Sequence, residues 1–202
     1  MKPTLIVYST TDGQTLRICE RLQTLLAQHQ LPVQLMPVAA AQTLDVSAFG
    51  VVVLGASIRY GRHQQEVYRF VVRHKATLHE RPSLFFSVSA VARKPEKQSA
   101  QGNPYVRKFL RQTGWQPQHV TAFGGRIDYP LYAWLDKQII RLIMRLTNGP
   151  SDGRSCNEFT DWQQVEALGQ KVAELQWQWG HARCGKDGSR SDESRRPAAV
   201  RC

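Results

Sequence analysis

Five short runs of apolar residues recur along the first 123 residues of the chain. They are residues 4–8 (TLIVY), 33–36 (VQLM), 51–56 (VVVLGA), 83–88 (SLFFSV) and 120–123 (VTAF). Within each run the apolar residues are nearly continuous and do not alternate with polar ones, which is typical of strands covered on both faces. The pattern therefore predicts five buried strands of a parallel sheet.

Helical periodicity fills most of the segments between and after these runs. Four groups of apolar residues each share one helical face: Leu16, Cys19, Leu22, Leu25 and Leu26; Val67, Phe70 and Val71; Tyr105, Val106, Phe109 and Leu110; and Trp162, Val165, Leu168, Val172 and Leu175. Strands that alternate with helices predict an α/β doubly wound fold. Residues 37–50 show no clear helical period.

An insertion at about residues 126–158 interrupts this alternation, because a loop between a strand and a helix usually has about 2–6 residues. Its segment 131–146 has a helical pattern with a broad apolar face and a cationic stripe of Lys137, Arg141 and Arg145, while Trp134 lies near one end. Such a helix suits a position in a membrane surface. Packing on its own domain and a dimer contact are the alternatives.

The chain is strongly basic, with 27 Lys and Arg against 16 Asp and Glu and a formal net charge of +11. Residues 176–202 are rich in Gly, Ser, Arg and Asp and predict a disordered tail. Six basic and three acidic residues leave +3 in that tail and +8 in residues 1–175, the predicted domain. This excess predicts anionic partners. Nucleic acid is not predicted, because no recognition motif or basic stripe with stacking aromatics stands out.

Other features narrow the class of protein. No apolar run approaches the length of a spanning helix, and the N-terminal run is too short for a signal peptide, so a cytoplasmic protein is expected. The four cysteines are widely spaced, so neither a disulfide framework nor a metal site is expected. Cys19 lies on an apolar helical face and is predicted to be a core residue.

A polar loop follows the first strand and opens a helix. It consists of Ser9, Thr10, Thr11, Asp12, Gly13, Gln14 and Thr15. Its hydroxyls can donate to phosphate oxygens, Gly13 permits close backbone approach, and a helix N-terminus offers free N–H groups. The loop suits a terminal phosphate but matches neither a Walker loop nor GxGxxG. Side-chain capping of the helix by Ser or Thr is the alternative.

Two more loops follow the third and fourth strands. They consist of Ala56, Ser57, Ile58, Arg59, Tyr60 and Gly61, and of Ser87, Val88, Ser89, Ala90, Val91, Ala92 and Arg93. Ligands of doubly wound folds bind beyond the carboxyl ends of the strands. A phosphate loop beside two loops that could flank a flat ring suits a flavin mononucleotide (FMN) site.

Several segments of the chain resemble one enzyme family in matching order. STTDGQT, GASIRYG, VARKPEK, YVRKFL and the late TDW resemble the menaquinone-dependent protoporphyrinogen dehydrogenase family of bacterial haem synthesis, within the flavodoxin superfamily. The similarity covers about residues 4–175, and GASIRYG and ARKPEK are its most specific segments.

The resemblance implies a flavodoxin-like five-stranded parallel sheet with a long helical insertion before the last helix, and one FMN held noncovalently. It implies oxidation of protoporphyrinogen IX to protoporphyrin IX, in which six electrons leave in three two-electron steps to a membrane quinone, menaquinone or ubiquinone. The expected location is the cytoplasmic face of the bacterial inner membrane, as a peripheral protein. The basic charge agrees with the substrate's two propionates and with an anionic membrane.

Further side chains are candidates for contacts in this reaction. Arg59, Arg93, Lys94 and Lys97 lie on the cofactor-side loops and suit propionate or flavin contacts, with loop solubility as the alternative. His63 is the nearest candidate for an acid–base group, although a surface histidine is the favoured interpretation. Spacing marks no catalytic residue, and the oligomeric state stays open.

Three other functions remain possible from the residues alone. A flavodoxin-like electron carrier is disfavoured by the core charge of +8, because such carriers are typically acidic, and by the long insertion. A quinone reductase with a nicotinamide donor lacks a second dinucleotide fingerprint. A cofactor-free interaction module would be colourless when purified.

Overall fold

Five parallel strands form the central sheet in the order β2-β1-β3-β4-β5. Their bounds are β1 (Thr4–Ser9), β2 (Val33–Pro37), β3 (Val51–Ser57), β4 (Ser83–Ser89) and β5 (His119–Gly124). Each includes one of the five apolar runs and extends slightly beyond it. The computed structural model describes residues 2–128 and 156–187, and within them the predicted α/β doubly wound fold is confirmed.

Helices cover both faces of this sheet. They are α1 (Gln14–Gln28), α2 (Gln65–Arg73), α3 (Lys75–His79), α4 (Pro104–Thr113) and α5 (Trp162–Asp187). Leu5 and Val7 of β1 belong to the core on the α2 and α4 face, whereas Ile6 between them belongs to the core on the α1 and α5 face. Neighbouring residues of a strand point to opposite faces, and a sheet buried on both sides therefore needs continuous apolar runs.

The segment without a helical period, residues 37–50, contains two short 3₁₀ helices, Ala40–Thr43 and Val46–Ala48. A buried guanidinium compensates for the missing regular hydrogen bonds. Arg81 donates to the carbonyl oxygens of Val46 at 3.1 Å and Phe49 at 2.6 Å. Arg81 lies more than thirty residues from this segment in the sequence. The residues of the segment alone therefore show no helical or strand periodicity.

The last helix is longer than its apolar face indicates. α5 continues through residues 176–187, so the prediction that disorder begins at Gln176 is wrong for these residues. Gln176 is buried: its amide donates to the carbonyl oxygen of Lys2 and accepts from Thr4 Oγ1 at 3.1 Å. Because Gln176 is polar, the apolar periodicity of the helix does not extend to it, and the sequence pattern therefore did not predict this part of the helix. Residues 188–202 lie outside the described residues.

A two-stranded antiparallel ribbon forms the base of the insertion. Strands β6 (Arg126–Asp128) and β7 (Cys156–Glu158) pair with Arg126 opposite Glu158. The predicted helix at 131–146 and its Trp134, Lys137, Arg141 and Arg145 lie outside the described residues. Among the residues that are described, no helix is long and apolar enough to cross a membrane.

Candidate functional site

The sheet brings the three candidate loops to one edge. β1, β3 and β4 are adjacent, and their last residues pair in register, with Ser9 opposite Ala56 and Ser57 opposite Val88. Parallel strands end at the same edge, and the strand order reverses direction beside β1, which is the usual ligand position in this architecture. The loops after β1, β3 and β4 therefore lie at one edge of the sheet, as their sequence predicts.

The loop after β1 leaves the N-terminus of α1 without a side-chain cap. Gly13 occupies the N-cap position with φ 83° and, because it has no side chain, forms no side-chain cap hydrogen bond. Capping by Ser or Thr, the alternative interpretation of this loop, is therefore wrong. The first N–H groups of α1 have no carbonyl partner within the helix and are suited to an anion.

Unpartnered hydroxyls accompany this helix end. Thr10 Oγ1 and Thr15 Oγ1 are buried and have no hydrogen-bond partner among the described residues, and the same holds for Ser87 Oγ and Ser89 Oγ near the end of β4. Buried polar groups normally form hydrogen bonds, so hydroxyls without a partner at the carboxyl edge of the sheet are suited to a ligand that accepts hydrogen bonds. The oxygens of a phosphate monoester are such acceptors, and the residues present fit this group.

Gln64 and the end of β3 support the loop after β1. Gln64 Oε1 accepts from Ser9 Oγ at 2.7 Å, and its Nε2 lies 3.4 Å from Thr11 Oγ1. The hydroxyls of Thr11 and Ser57 are 3.3 Å apart. Ser9 and Thr11 are thus engaged within the protein, which leaves Thr10 and Thr15 as the side chains of this loop best placed for a ligand.

Arg59 neutralises the acidic residue of the first loop. Its Nη1 donates to Asp12 Oδ1 at 3.1 Å, and its guanidinium lies 5.4 Å from the centre of the Tyr60 ring. A carboxylate beside a phosphate would repel it, and the ion pair removes most of that repulsion. Arg59 therefore contacts a residue of the loop after β1.

Tyr60 presents the exposed aromatic surface of the second loop. It has φ 50°, Gly61 follows with φ 74°, and 66% of Tyr60 is exposed. A left-handed conformation is costly for a residue with a large side chain. This turn holds the ring outward, in a position suited to a flat ligand.

The loop after β4 is a short 3₁₀ helix, Ala90–Arg93. The side chain of Arg93 donates from Nη1 to the carbonyl oxygen of Ala90 at 3.1 Å. Ala92 is buried and packs in the core on the α2 and α4 face. Val88 accepts at its carbonyl from Ile58 N–H at 2.9 Å, which joins the second and third loops. Lys94 and Lys97 follow on the same segment and are partly exposed.

The side chain of Gln14 is engaged with residues at and just after the end of the insertion. Its Nε2 donates to Glu158 Oε1 at 3.1 Å and to Thr160 Oγ1 at 2.8 Å, and Thr160 Oγ1 donates to the carbonyl of Gly124 at 2.8 Å. The backbone N–H of Gln14 is its group suited to a phosphate. Sequence reasoning missed Gln64 and Glu158. The partners of Gln64 in the loop after β1 lie at least 53 residues away, and the partners of Glu158 on α1 lie at least 141 residues away. Thr160 was indicated only as part of the TDW segment.

His63 is not a surface residue, so the favoured interpretation of this histidine is wrong. Only 2% of it is exposed, and its ring packs edge-on against Phe85 and Phe109. Burial lowers its pKa to about 4, and the hydrogen bond to the Ser57 carbonyl at 3.2 Å opposes that shift. The neutral ring donates from Nδ1 to that carbonyl and supports the end of β3.

Cys19 is a core residue, as predicted. It is fully buried on α1, and desolvation raises the pKa of its thiol, so the reactive thiolate is disfavoured.

The sheet order, the uncapped helix after β1 and the two flanking loops together define a protein of the flavodoxin class. The sequence profile described as "Flavodoxin domain" matches residues 5–153. The chain is 39% identical over 172 residues to protoporphyrinogen IX dehydrogenase [quinone] of Escherichia coli K12, covering 85% of this chain and 95% of the relative. It therefore belongs to the flavodoxin-domain family and, within it, to the family of these dehydrogenases.

A second curated relative and a solved structure are also similar to this chain. The protein of the same name from Leishmania major is 37% identical, over 85% of this chain and 74% of its own. Rubredoxin oxygen:oxidoreductase of Desulfovibrio gigas superposes with a TM-score of 0.52 at 13% identity, over 89% of this chain. The present chain spans 37% of the length of that structure, and the likeness shows the fold alone.

Proposed function

We propose that this protein oxidises protoporphyrinogen IX to protoporphyrin IX, with FMN as its cofactor and a quinone as the electron acceptor. The observation that carries the proposal is an uncapped helix N-terminus with the orphaned hydroxyls of Thr10 and Thr15, in a chain 39% identical to a dehydrogenase of that name. The first feature supports a phosphate-bearing cofactor, and the second supports the reaction.

The proposed FMN site uses the three loops in different ways. Residues 9–15 hold the phosphate through the first N–H groups of α1 and the hydroxyls of Thr10 and Thr15. Residues 56–61 and 87–93 flank the flavin ring, with Tyr60 as the aromatic surface and the orphaned hydroxyls of Ser87 and Ser89 as donors. FMN, when bound, supplies the two-electron redox chemistry, and the chain's own residues bind and orient it.

The membrane side of the reaction is also part of the proposal. A quinone such as menaquinone or ubiquinone is dissolved in the bilayer, so the enzyme has to reach the membrane surface. The charge of +8 in residues 1–175 and the basic, apolar and aromatic pattern around Trp134, Lys137, Arg141 and Arg145 suit a peripheral protein on the anionic cytoplasmic face of the bacterial inner membrane.

An anaerobic assay tests the function. Purified protein receives FMN, protoporphyrinogen IX and a menaquinone analogue, and the fluorescence of protoporphyrin IX is followed over time. We expect a rise that needs both the protein and the quinone. A reaction without quinone is the control, and a rate that does not respond to quinone would reject the proposal.

A further inference from the structure

A groove lies beside the loop after β3 (residues 56–61), which we call the second cofactor loop, between the start of α2 and α4. It consists of two adjoining cavities of about 370 Å³ and about 350 Å³ that share Arg62, His63 and Gln65. Arg59 and Tyr60 line the first cavity, so the groove begins at the predicted flavin edge. The second cavity continues away from it, and we call it the α2–α4 cavity; it is lined by Arg62, His63, Gln65, Tyr68, Lys108 and Gln112.

The α2–α4 cavity is cationic. Its basic lining residues are Arg62 and Lys108, both are exposed, and neither forms an ion pair with a described residue. Glu66 belongs only to the first cavity and pairs with Arg69 at 2.9 Å. Two unpaired cations on one concave surface without a carboxylate favour an anionic ligand.

The wall of the cavity is aromatic and firmly packed. The Tyr68 ring lies edge-on to Phe109 at 5.0 Å between centroids, and the His63 ring lies against the same Phe109 at 5.0 Å. Partial burial raises the pKa of the Tyr68 hydroxyl although Arg62 opposes this, which agrees with a cation near that hydroxyl. Gln65 and Gln112 add neutral hydrogen-bonding groups. Such a surface suits a carboxylate carried on an apolar arm.

We propose that the α2–α4 cavity receives a propionate arm of the tetrapyrrole substrate, with Arg62 and Lys108 as the carboxylate partners. This inference rests on the proposed function and assigns one part of its substrate site. A ring that stands over the second cofactor loop, beside Tyr60, would extend a propionate along the groove to these two cations. The site would therefore set the orientation of the ring relative to the flavin edge.

Porphyrin binding tests this assignment without turnover. FMN-loaded protein is titrated with protoporphyrin IX and with its dimethyl ester, and the dissociation constant of each is read from fluorescence quenching. We expect the free acid to bind the wild type about tenfold more tightly than the ester, because each charge-assisted contact changes affinity by about this factor. The R62Q/K108Q variant should lose this preference and bind the acid at least about tenfold more weakly.

A matched control separates a local contact from the loss of positive charge. Arg107 and Arg111 are exposed residues of α4 that line neither cavity, and R107Q/R111Q removes the same charge. This control should keep the wild-type affinity for the acid, and the flavin content of both variants should match the wild type. An R62Q/K108Q protein that still binds the acid more tightly than the ester, with wild-type affinity, would overturn the assignment.

Kinetics distinguish this inference from the function on which it rests. In the anaerobic assay, R62Q/K108Q should raise KM for protoporphyrinogen IX by at least about tenfold and leave kcat nearly unchanged. A wild type that oxidises the substrate beside a variant with unchanged KM would reject the cavity alone. A wild type without quinone-dependent oxidation would reject the function, and the porphyrin titrations would still decide whether the cavity binds a carboxylate.

Discussion

The amide of Gln14 and the carboxylate of Glu158 join the start of α1 to the base of the insertion, with Nε2 of Gln14 donating to Oε1 of Glu158 at 3.1 Å. The same carboxylate accepts from Arg17 at 3.3 Å and from the indole N–H of Trp162 at 2.9 Å. Glu158, the last residue of β7, is thus the common acceptor for donors on α1 and α5. Its contacts hold the first turn of α1 against the ribbon that begins and ends the insertion.

Removal of this acceptor should weaken FMN binding. Glu158→Ala deletes the partner of three donors, so the first turn of α1 loses its lateral support and a net stability of about 1–2 kcal/mol. We expect FMN affinity to fall about three- to tenfold, measured by quenching of flavin fluorescence, with a lower urea midpoint.

Glu166→Ala is the control for this network. Glu166 pairs with Arg21 between α1 and α5 on the exposed surface, at the middle of α1 and away from the ligand edge. Its loss should cost less than about 1 kcal/mol and leave FMN affinity unchanged. Equal FMN affinities in Glu158→Ala and the wild type would show that the network does not position the phosphate loop.

A carboxylate at position 13 should abolish tight FMN binding. Gly13 has φ 83° at the N-cap of α1, so Gly13→Asp adds backbone strain and brings a negative charge to the proposed phosphate site. We expect affinity to fall about a hundredfold, from strain and charge repulsion together. Isothermal titration with FMN measures the change.

Gly114→Asp is the matched control, because Gly114 also has positive φ (60°) but ends α4. It should lower stability and keep FMN affinity. If Gly13→Asp retained flavin as well as the wild type, the assignment of the phosphate loop would be wrong.

The sheet should not tolerate a methyl group at position 55. A Cβ added to Gly55 of β3 would overlap the ring of Phe86 on β4. Gly55→Ala should therefore lower the free energy of unfolding by about 3 kcal/mol, measured by urea denaturation. A second substitution, Phe86→Leu, should recover part of this loss in a double-mutant cycle, and strictly additive effects would contradict the contact.

Acid should destabilise the protein through His63. Its folded pKa of about 4 lies below the ordinary value of 6.5, so between these values the unfolded chain binds a proton that the folded chain does not. The stabilising effect is present above pH 6.5 and is lost as the pH falls towards 4, by up to about 3 kcal/mol.

Urea denaturation from pH 7.5 to 4 measures this slope in the wild type and in His63→Phe. The variant keeps an aromatic ring against Phe85 and Phe109 and cannot be protonated. His74 and His119 also have pKa values lowered by burial, so we expect a shallower slope in the variant and not a flat one. Identical slopes would mean that His63 does not titrate as its burial requires.

Charge reversal in the insertion should weaken membrane binding. Replacement of Lys137, Arg141 and Arg145 by Glu removes the cationic stripe, and each lost charge near an anionic surface costs about 1 kcal/mol. Sedimentation with anionic liposomes should show a large loss. The control replaces Arg73, Arg107 and Arg111 by Glu, which changes the net charge equally; equal binding by both variants would give the stripe no special role.

The local pattern of apolar residues in the sequence determined the strands, most of the helices and the sheet architecture. Continuous apolar runs specify strands that are buried on both faces, and the alternation with helical faces leads to the doubly wound sheet. Because parallel strands end at one edge, the loops beginning at Ser9, Ala56 and Ser87 could be placed together at one edge of the sheet from sequence alone. Gly13, which leaves α1 without a side-chain cap, lies at the start of the helix, as the sequence predicts.

Tertiary structure alone decided which polar groups are engaged and which are available. Gln14 and Thr15 are adjacent and polar, yet Gln14 bonds to Glu158 while the Thr15 hydroxyl is left without a described partner. His63 follows a polar loop but packs between aromatic rings, and Gln176 continues a helix by contact with the N-terminal strand. These outcomes depend on partners far away in the chain, and local periodicity carries no information about them because it records only which face of an element is apolar.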